Sequence, residues 1–407
     1  MVDVRPFRAL RPSDGAAERL VSPPYDVVDV EEARAWAGGD PDSFLRVSRP
    51  EIDLAPDVDP HSDEVYELGR RNLDDLVGRG VLVRDERPTF SVYRQVMGGV
   101  RQTGVVGAVA VADYDARRVR THEHTRPDKE LDRVRHIDAL DAQDEPVFLL
   151  SRRSADVDAI VSRVVAREPA VDLVARDGVA HTLWVVDDPA EVDALRRALG
   201  EAGDLYVADG HHRSAAASRV AALRGDAPGD HDAFLAVVLP LDDVHVMAYN
   251  RVVLDLAGRT PEQLLDEISE VLEVEPHEGV AAPEGRHEFG LYLAGRWYVL
   301  RAPAGSVDED DVLARLDVSL LQDRVLGPLL GIGDPRTDAR IAFVGGIRGS
   351  DELERLVDSG RAAAAFLLFP TSTDELVEVA DSGQVMPPKS TWFEPKLASG
   401  LVIHPLT

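Results

Sequence analysis

The sequence predicts a mixed α/β (α+β) protein of two domains, and three features carry that reading. Strand-like and helix-like segments alternate between residues 156 and 240, the pattern of an α/β layer. The texture changes near Leu256, where hairpin and helix signals of a smaller unit begin. At 407 residues with 44% hydrophobic content, the chain exceeds one ordinary core but can fill two.

The elements follow in order. Residues 2–10 read as an entry strand, and the turn-rich 21-VSPPYDVVD-29 follows. Val65, Leu68, Leu73, Leu76 and Val77 form a helical stripe over 62–77. Segments 89–96 and 100–114 read as strands joined by Gly98-Gly99, with a third running from Val119 to His124. Next come a helix at 157–165 and a strand at 180–187. Pro189 opens a helix with Val192, Leu195 and Leu199 on one face. A strand at 205–208, its helix and a strand at 234–240 complete the alternation. Beyond Leu256 a hairpin turns at Ala294-Gly295. Helices at 310–325, 351–357 and 374–380 and strands at 340–345 and 362–370 suggest an α/β sandwich. The predicted division is a core over 1–255 with inserted hairpins, a C-terminal domain over 256–383, and a loop and strand over 384–407 returning to the core.

Composition narrows the function. The net charge of −29 repels nucleic acid and anionic lipid, so neither is an expected partner. No apolar run is long enough to span a membrane, and the N-terminus lacks a signal-peptide layout, so a cytoplasmic location is expected. The absence of cysteine removes disulfides, thiol catalysis and thiolate metal sites. Only Lys129, Lys389 and Lys396 are lysines among 45 basic residues, and they fall in 125-TRPDKELDR-133 and 386-MPPKSTWFEPK-396. Lysine is a compact point charge and arginine a planar fork. The surviving lysines therefore mark candidate phosphate sites, although chance clustering would look the same.

The densest polar stretch is 206-YVADGHHRSAAASRV-220, where a strand hands over to a helix. Gly210 permits a tight turn, and the helix beyond it offers unpaired N–H groups and the positive end of its dipole. Gly210, Arg213 and Ser214 are candidate phosphate contacts. Asp209 is a candidate base or Mg2+ ligand, with His211 and His212 assisting. The plain alternative is a helix cap with surface histidines. In 121-THEHTRPDKELDR-133, an extended backbone would place His122 and His124 on one face and Glu123 on the other. That pattern fits a metal pair. It also fits a polar wall in which Thr125, Arg126 and Lys129 contact phosphates and Glu123 acts as acid or base. Lys389, Ser390 and Thr391 sit on a proline-stiffened loop suited to anions, with Trp392 or Phe393 available to stack, or the loop only ties down the C-terminus. No P-loop, dinucleotide fingerprint, nucleophile elbow or His-Glu-x-x-His occurs.

Six blocks in order, VSPPYDVV, HEHTRPDKELDR, VADGHHRSAAA, LPLDDVHVMAYNRVV, LDVSLLQDRVL and MPPKSTWFEPKLASGL, resemble the family called domain of unknown function 1015. The Asp-Gly-His-His-Arg block also resembles the phosphate-binding box of the ParB/sulfiredoxin-like superfamily. That resemblance implies a ParB/sulfiredoxin-like core and a kinase moving phosphoryl from ATP or ADP, with Mg2+, to a hydroxylated metabolite, free L-serine leading. Gly210, His211, His212 and Arg213 would then touch the transferred phosphate, with Asp209 or Glu123 as base. It is compatible with a homodimer. Two other classes remain: a metal-dependent hydrolase using His122, His124 and Asp209, and a non-catalytic nucleotide-binding scaffold.

Overall fold

The computed structural model describes residues 1–225, 227 and 229–407. The chain divides into two compact units, Met1–His245 with Pro395–Thr407, and Val246–Glu394.

The first unit is built on a nine-stranded mixed sheet. Its strands run, side by side, Val119–Arg120, Leu205–Asp209, Val147–Ser151, Ala233–Pro240, Val100–Ala110, Phe90–Met97, Ala180–Val186 and Val171–Val174, with Val4–Arg5 added beside Val100–Ala110. Leu205–Asp209 runs parallel to Val119–Arg120, and Val147–Ser151 parallel to Ala233–Pro240. The other pairs are antiparallel. The central strands are buried nearly end to end, so they read as continuous apolar runs. One core packs Phe90, Val92, Leu149, Trp184 and Phe234 with helical Leu195 and Leu199. A second gathers Leu10, Phe44, Leu73, Leu76, Leu140 and Ile403, tying the C-terminal segment into this unit.

The second unit carries a six-stranded antiparallel sheet in the order Glu273–His277, Arg296–Arg301, Glu288–Leu293, Ala364–Leu368, Tyr249–Val253, Ile341–Gly345. Val252, Val344, Ala365 and Tyr292 on one face meet Leu353 and Leu356 of helix Gly349–Asp358. This unit begins at Val246, ahead of residue 256, because Tyr249–Val253 is one of its inner strands. Residues 384–394 belong to it, and only Pro395–Thr407 join the first unit.

Some local expectations change. The second strand of the first hairpin ends at Ala110, and Val111–Asp115 turns helical. Strand Val119–Arg120 is two residues long, so residues 121–126 are not extended in a sheet. Pro127 starts a helix, Pro127–Leu140, as proline's fixed φ and missing N–H allow at a first position. The helix expected over 310–325 is confined to Asp317–Leu321, followed by a π-helical turn at Gln322–Leu326. Among the described residues no helix is long and apolar enough to cross a membrane.

Candidate functional site

Strand Leu205–Asp209 gives way to helix His211–Arg224 through Gly210, whose φ of 93° lies in the left-handed region. A Cβ there would be strained and would sit 3.2 Å from Arg213 Nε. No side chain caps the helix, and its first backbone bond runs from Ser214 N to Gly210 O at 3.0 Å. The N–H groups of His211, His212 and Arg213 therefore precede the ladder, where the dipole is positive.

Asp209 is held on both oxygens. Oδ1 accepts the Gly210 N–H at 2.8 Å, and Oδ2 accepts Lys396 Nζ at 2.9 Å. Burial alone would raise its pKa, but the Lys396 ammonium and the Arg213 guanidinium outweigh it and hold the carboxyl below the usual range. This geometry weighs against Asp209 as a base. Arg213 is 7% exposed and donates to the Pro146 carbonyl, with Asp26 at 3.6 Å and Asp209 at 3.9 Å. Its guanidinium braces the turn from beneath. Ser214 is fully buried and donates to the His211 carbonyl at 3.1 Å, so its hydroxyl serves the helix.

His211 and His122 pack edge to face, ring centroids 4.6 Å apart. Burial lowers them to about 4 and about 3, leaving both neutral near pH 7. His211 Nδ1 lies 3.7 Å from Glu123 Oε2. His211 Nε2 and His122 Nδ1 are buried without a hydrogen-bond partner. His212 Nε2 accepts the Arg126 N–H at 3.0 Å, which puts the ring proton on Nδ1; burial lowers its pKa too. The Glu123 side chain is 38% exposed. Thr125 donates to Glu130 at 2.7 Å, Arg126 pairs with Asp128 at 2.8 Å, and Lys129 is exposed on the first turn of helix Pro127–Leu140.

His122 is buried whereas His124 is exposed, so the two do not converge as a metal pair. Among the described residues no group of three or more His, Asp or Glu side chains is placed to hold a metal ion. The hydrolase built on His122, His124 and Asp209 is set aside on this geometry. Mg2+ as a protein-held ion also fits poorly, because the Lys396 ammonium already occupies the Asp209 carboxylate.

Beneath the turn lies a charged layer that sequence reasoning missed. Glu145 Oε1 accepts Tyr25 N at 2.8 Å and Ser399 Oγ at 2.9 Å, and the Arg133 guanidinium lies 3.9 Å over the Tyr25 ring. His136 Nε2 lies 3.0 Å from Asp144 Oδ2. Burial, with Asp144 beside it, pushes Glu145 up to about 8. Arg133, His136, Asp144, Glu145 and Arg213 line a cavity of about 10 Å³, the room of one water. The available signal was an acidic pair abutting the apolar strand Val147–Ser151.

Lys389, Ser390 and Thr391 belong to the second unit. Lys389 Nζ stands 5.3 Å from the Tyr249 ring centroid. Ser390 Oγ donates to Pro387 O at 2.6 Å, and Ser390 O accepts from Thr371 at 2.9 Å.

These features define a mixed α/β protein with a polar, uncapped strand-to-helix junction. The chain belongs to the family described as protein of unknown function (DUF1015), whose pattern matches residues 4–319. No curated protein matches it. Among solved structures it is similar to a free serine kinase in complex with AMP, at 15% identity over 73% of this chain and 92% of that one, TM-score 0.35. A conserved hypothetical protein from Pyrococcus furiosus shares 14% identity over 74% of this chain and 95% of that one, TM-score 0.35. SbnI from Staphylococcus aureus, truncated at its C-terminus, shares 12% over 72% and 85%, TM-score 0.39.

Proposed function

We propose that the chain is a phosphotransferase that moves a phosphoryl group from ATP or ADP to the hydroxyl of a small metabolite, with free L-serine the first acceptor to test. One observation carries the reading: a lysine ammonium stands 2.9 Å from Asp209 at an uncapped helix opening, with the open carboxylate of Glu123 3.7 Å from His211. The motif resemblance names the nucleotide. The N–H groups of His211 and His212, with Lys396, receive the phosphates. Lys129, exposed on the first turn of helix Pro127–Leu140, adds positive charge. Asp209 positions Lys396, and Arg213 positions the turn. Glu123 accepts the proton as the acceptor oxygen attacks the terminal phosphorus. The bond to the departing ADP or AMP breaks, and neutral His211 orients the carboxylate. Mg2+ arrives with the nucleotide. Such an enzyme would work in the cytoplasm and would need no nucleic acid.

The experiment is incubation of the full chain with Mg2+ and ATP or ADP and a pool of hydroxylated metabolites including L-serine. Phosphoserine appearing with ADP or AMP in equal amounts supports the proposal. Nucleotide binding without turnover points to the scaffold. Neither binding nor turnover overturns both.

A further inference from the structure

The second unit contains a buried cation that its own fold does not neutralise. Arg251, on strand Tyr249–Val253, is 4% exposed. Its guanidinium donates to the carbonyls of Tyr249 and of Pro388, the latter at 3.4 Å, and among the described residues it forms no ion pair. A guanidinium carries more donors than two carbonyls use, and a buried charge without a counter-ion is costly. Burial pulls Arg251 down to about 9, against an opposing pull from Tyr249.

The surroundings have the form of a site. Tyr249 and Arg251 are two apart on one strand and share a face. Phe343 stands opposite Arg251, its ring centroid 5.4 Å from the guanidinium carbon. Gly345 stands opposite Tyr249, and the Trp392 ring packs on it so closely that a Cβ would meet the indole at 2.9 Å. Trp392 and Tyr249 lie edge to face at 5.0 Å, and the Trp392 N–H goes to Glu394 at 2.7 Å. Lys389 hangs over the Tyr249 ring at 5.3 Å with a backbone φ of 57°, a conformation that non-glycine residues seldom adopt. Lys389 also has no ion pair among the described residues, in a chain with 74 acidic and 45 basic side chains. Two cations thus flank one tyrosine, bound to carbonyls and a ring.

We infer that Arg251 and Lys389, walled by Tyr249 and Trp392, bind the oxyanion group of a small ligand, a phosphate or a carboxylate. This goes beyond the phosphotransfer reading and does not depend on it.

The test is thermal unfolding of the full chain in chloride, then with inorganic phosphate or acetate in its place at matched ionic strength. Phosphate stabilises proteins generally by exclusion from their surface, so the readout is the saturable part of the Tm rise. The expected result is a saturable rise with at least one oxyanion, weakened about tenfold or more in affinity by Lys389→Ala and lost in Arg251→Met. Lys389 is exposed, so its variant folds even if Arg251→Met does not. The preferred anion names the source. A saturable rise that vanishes only in Lys396→Met belongs to the first unit and overturns the inference, as does no saturable rise or one that survives both second-unit variants.

Discussion

The two units treat their buried cations in opposite ways. In the first, buried Arg213 and Arg133 and half-buried Lys396 lie among Asp26, Asp209, Asp144 and Glu145. In the second, Arg251 meets carbonyls and a ring and, among the described residues, no carboxylate. A buried cation matched by carboxylates is part of the fold. One without them carries a desolvation cost that no carboxylate offsets.

The largest expected effect tests the first region alone. Glu123→Gln should reduce turnover by about 10²- to 10⁴-fold, the usual contribution of a positioned base. Stability should move by less than about 0.5 kcal/mol, since the side chain is partly exposed and, among the described residues, forms no buried pair shorter than 3.7 Å. Oxyanion stabilisation in the second unit should not change; steady-state kinetics and thermal shift together check this.

Matched substitutions sharpen the contrast. Lys396→Met leaves Asp209 with Arg213 at 3.9 Å as its remaining cation. The pair is only partly buried, so the cost should fall below the about 3 to 5 kcal/mol of a broken, fully buried pair. Arg251→Met removes an uncompensated charge, and without oxyanion should be neutral or stabilising by about 1 kcal/mol. Urea unfolding decides, and equal costs would break the comparison.

Acidity should separate the units again. His122 and His211 have folded pKa values of about 3 and about 4, below the ordinary 6.5. Folding keeps them neutral, so their contribution is complete above pH 6.5 and falls as the pH drops toward 4. In the second unit burial raises Asp317 from 3.8 to about 7. Its contribution is complete below pH 3.8 and is lost as the pH rises toward 7. Hydrogen exchange followed unit by unit, corrected for intrinsic rates, should show opposite slopes between pH 4 and 6.5, the first unit's being reduced by Glu145, whose raised pKa of about 8 opposes the histidines.

The most local effect is that of Gly210→Ala. A Cβ at φ 93°, 3.2 Å from Arg213 Nε, should cost about 1 to 2 kcal/mol. Thermal unfolding measures it.

Much of the backbone was legible because its signals are local. The strand and helix around Gly210, the hairpin at Ala294-Gly295 and the helix after Pro189 follow from periodicity and from glycine and proline. The His-x-His reading erred because it assumed an extended backbone, whereas the strand stops at Arg120. Pro127 opens the next helix, because proline at a first helical position is a start. Lysine scarcity drew attention to two segments without choosing among their lysines. Lys396 meets Asp209 from 187 positions away. Glu145 was invisible, since nothing local marks an acid that holds Tyr25 and Ser399 together.

Sequence alone determined the class of fold, the handover at Gly210 and the acidic, cysteine-free surface, because turns, periodicity and net charge are properties of neighbours or of the whole composition. Tertiary structure decided which charges cancel. Asp209 is held ionised by Lys396, His211 and His122 are neutral by burial, and Arg251 pairs with no acid among the described residues, because pairing and desolvation depend on residues that only folding brings together.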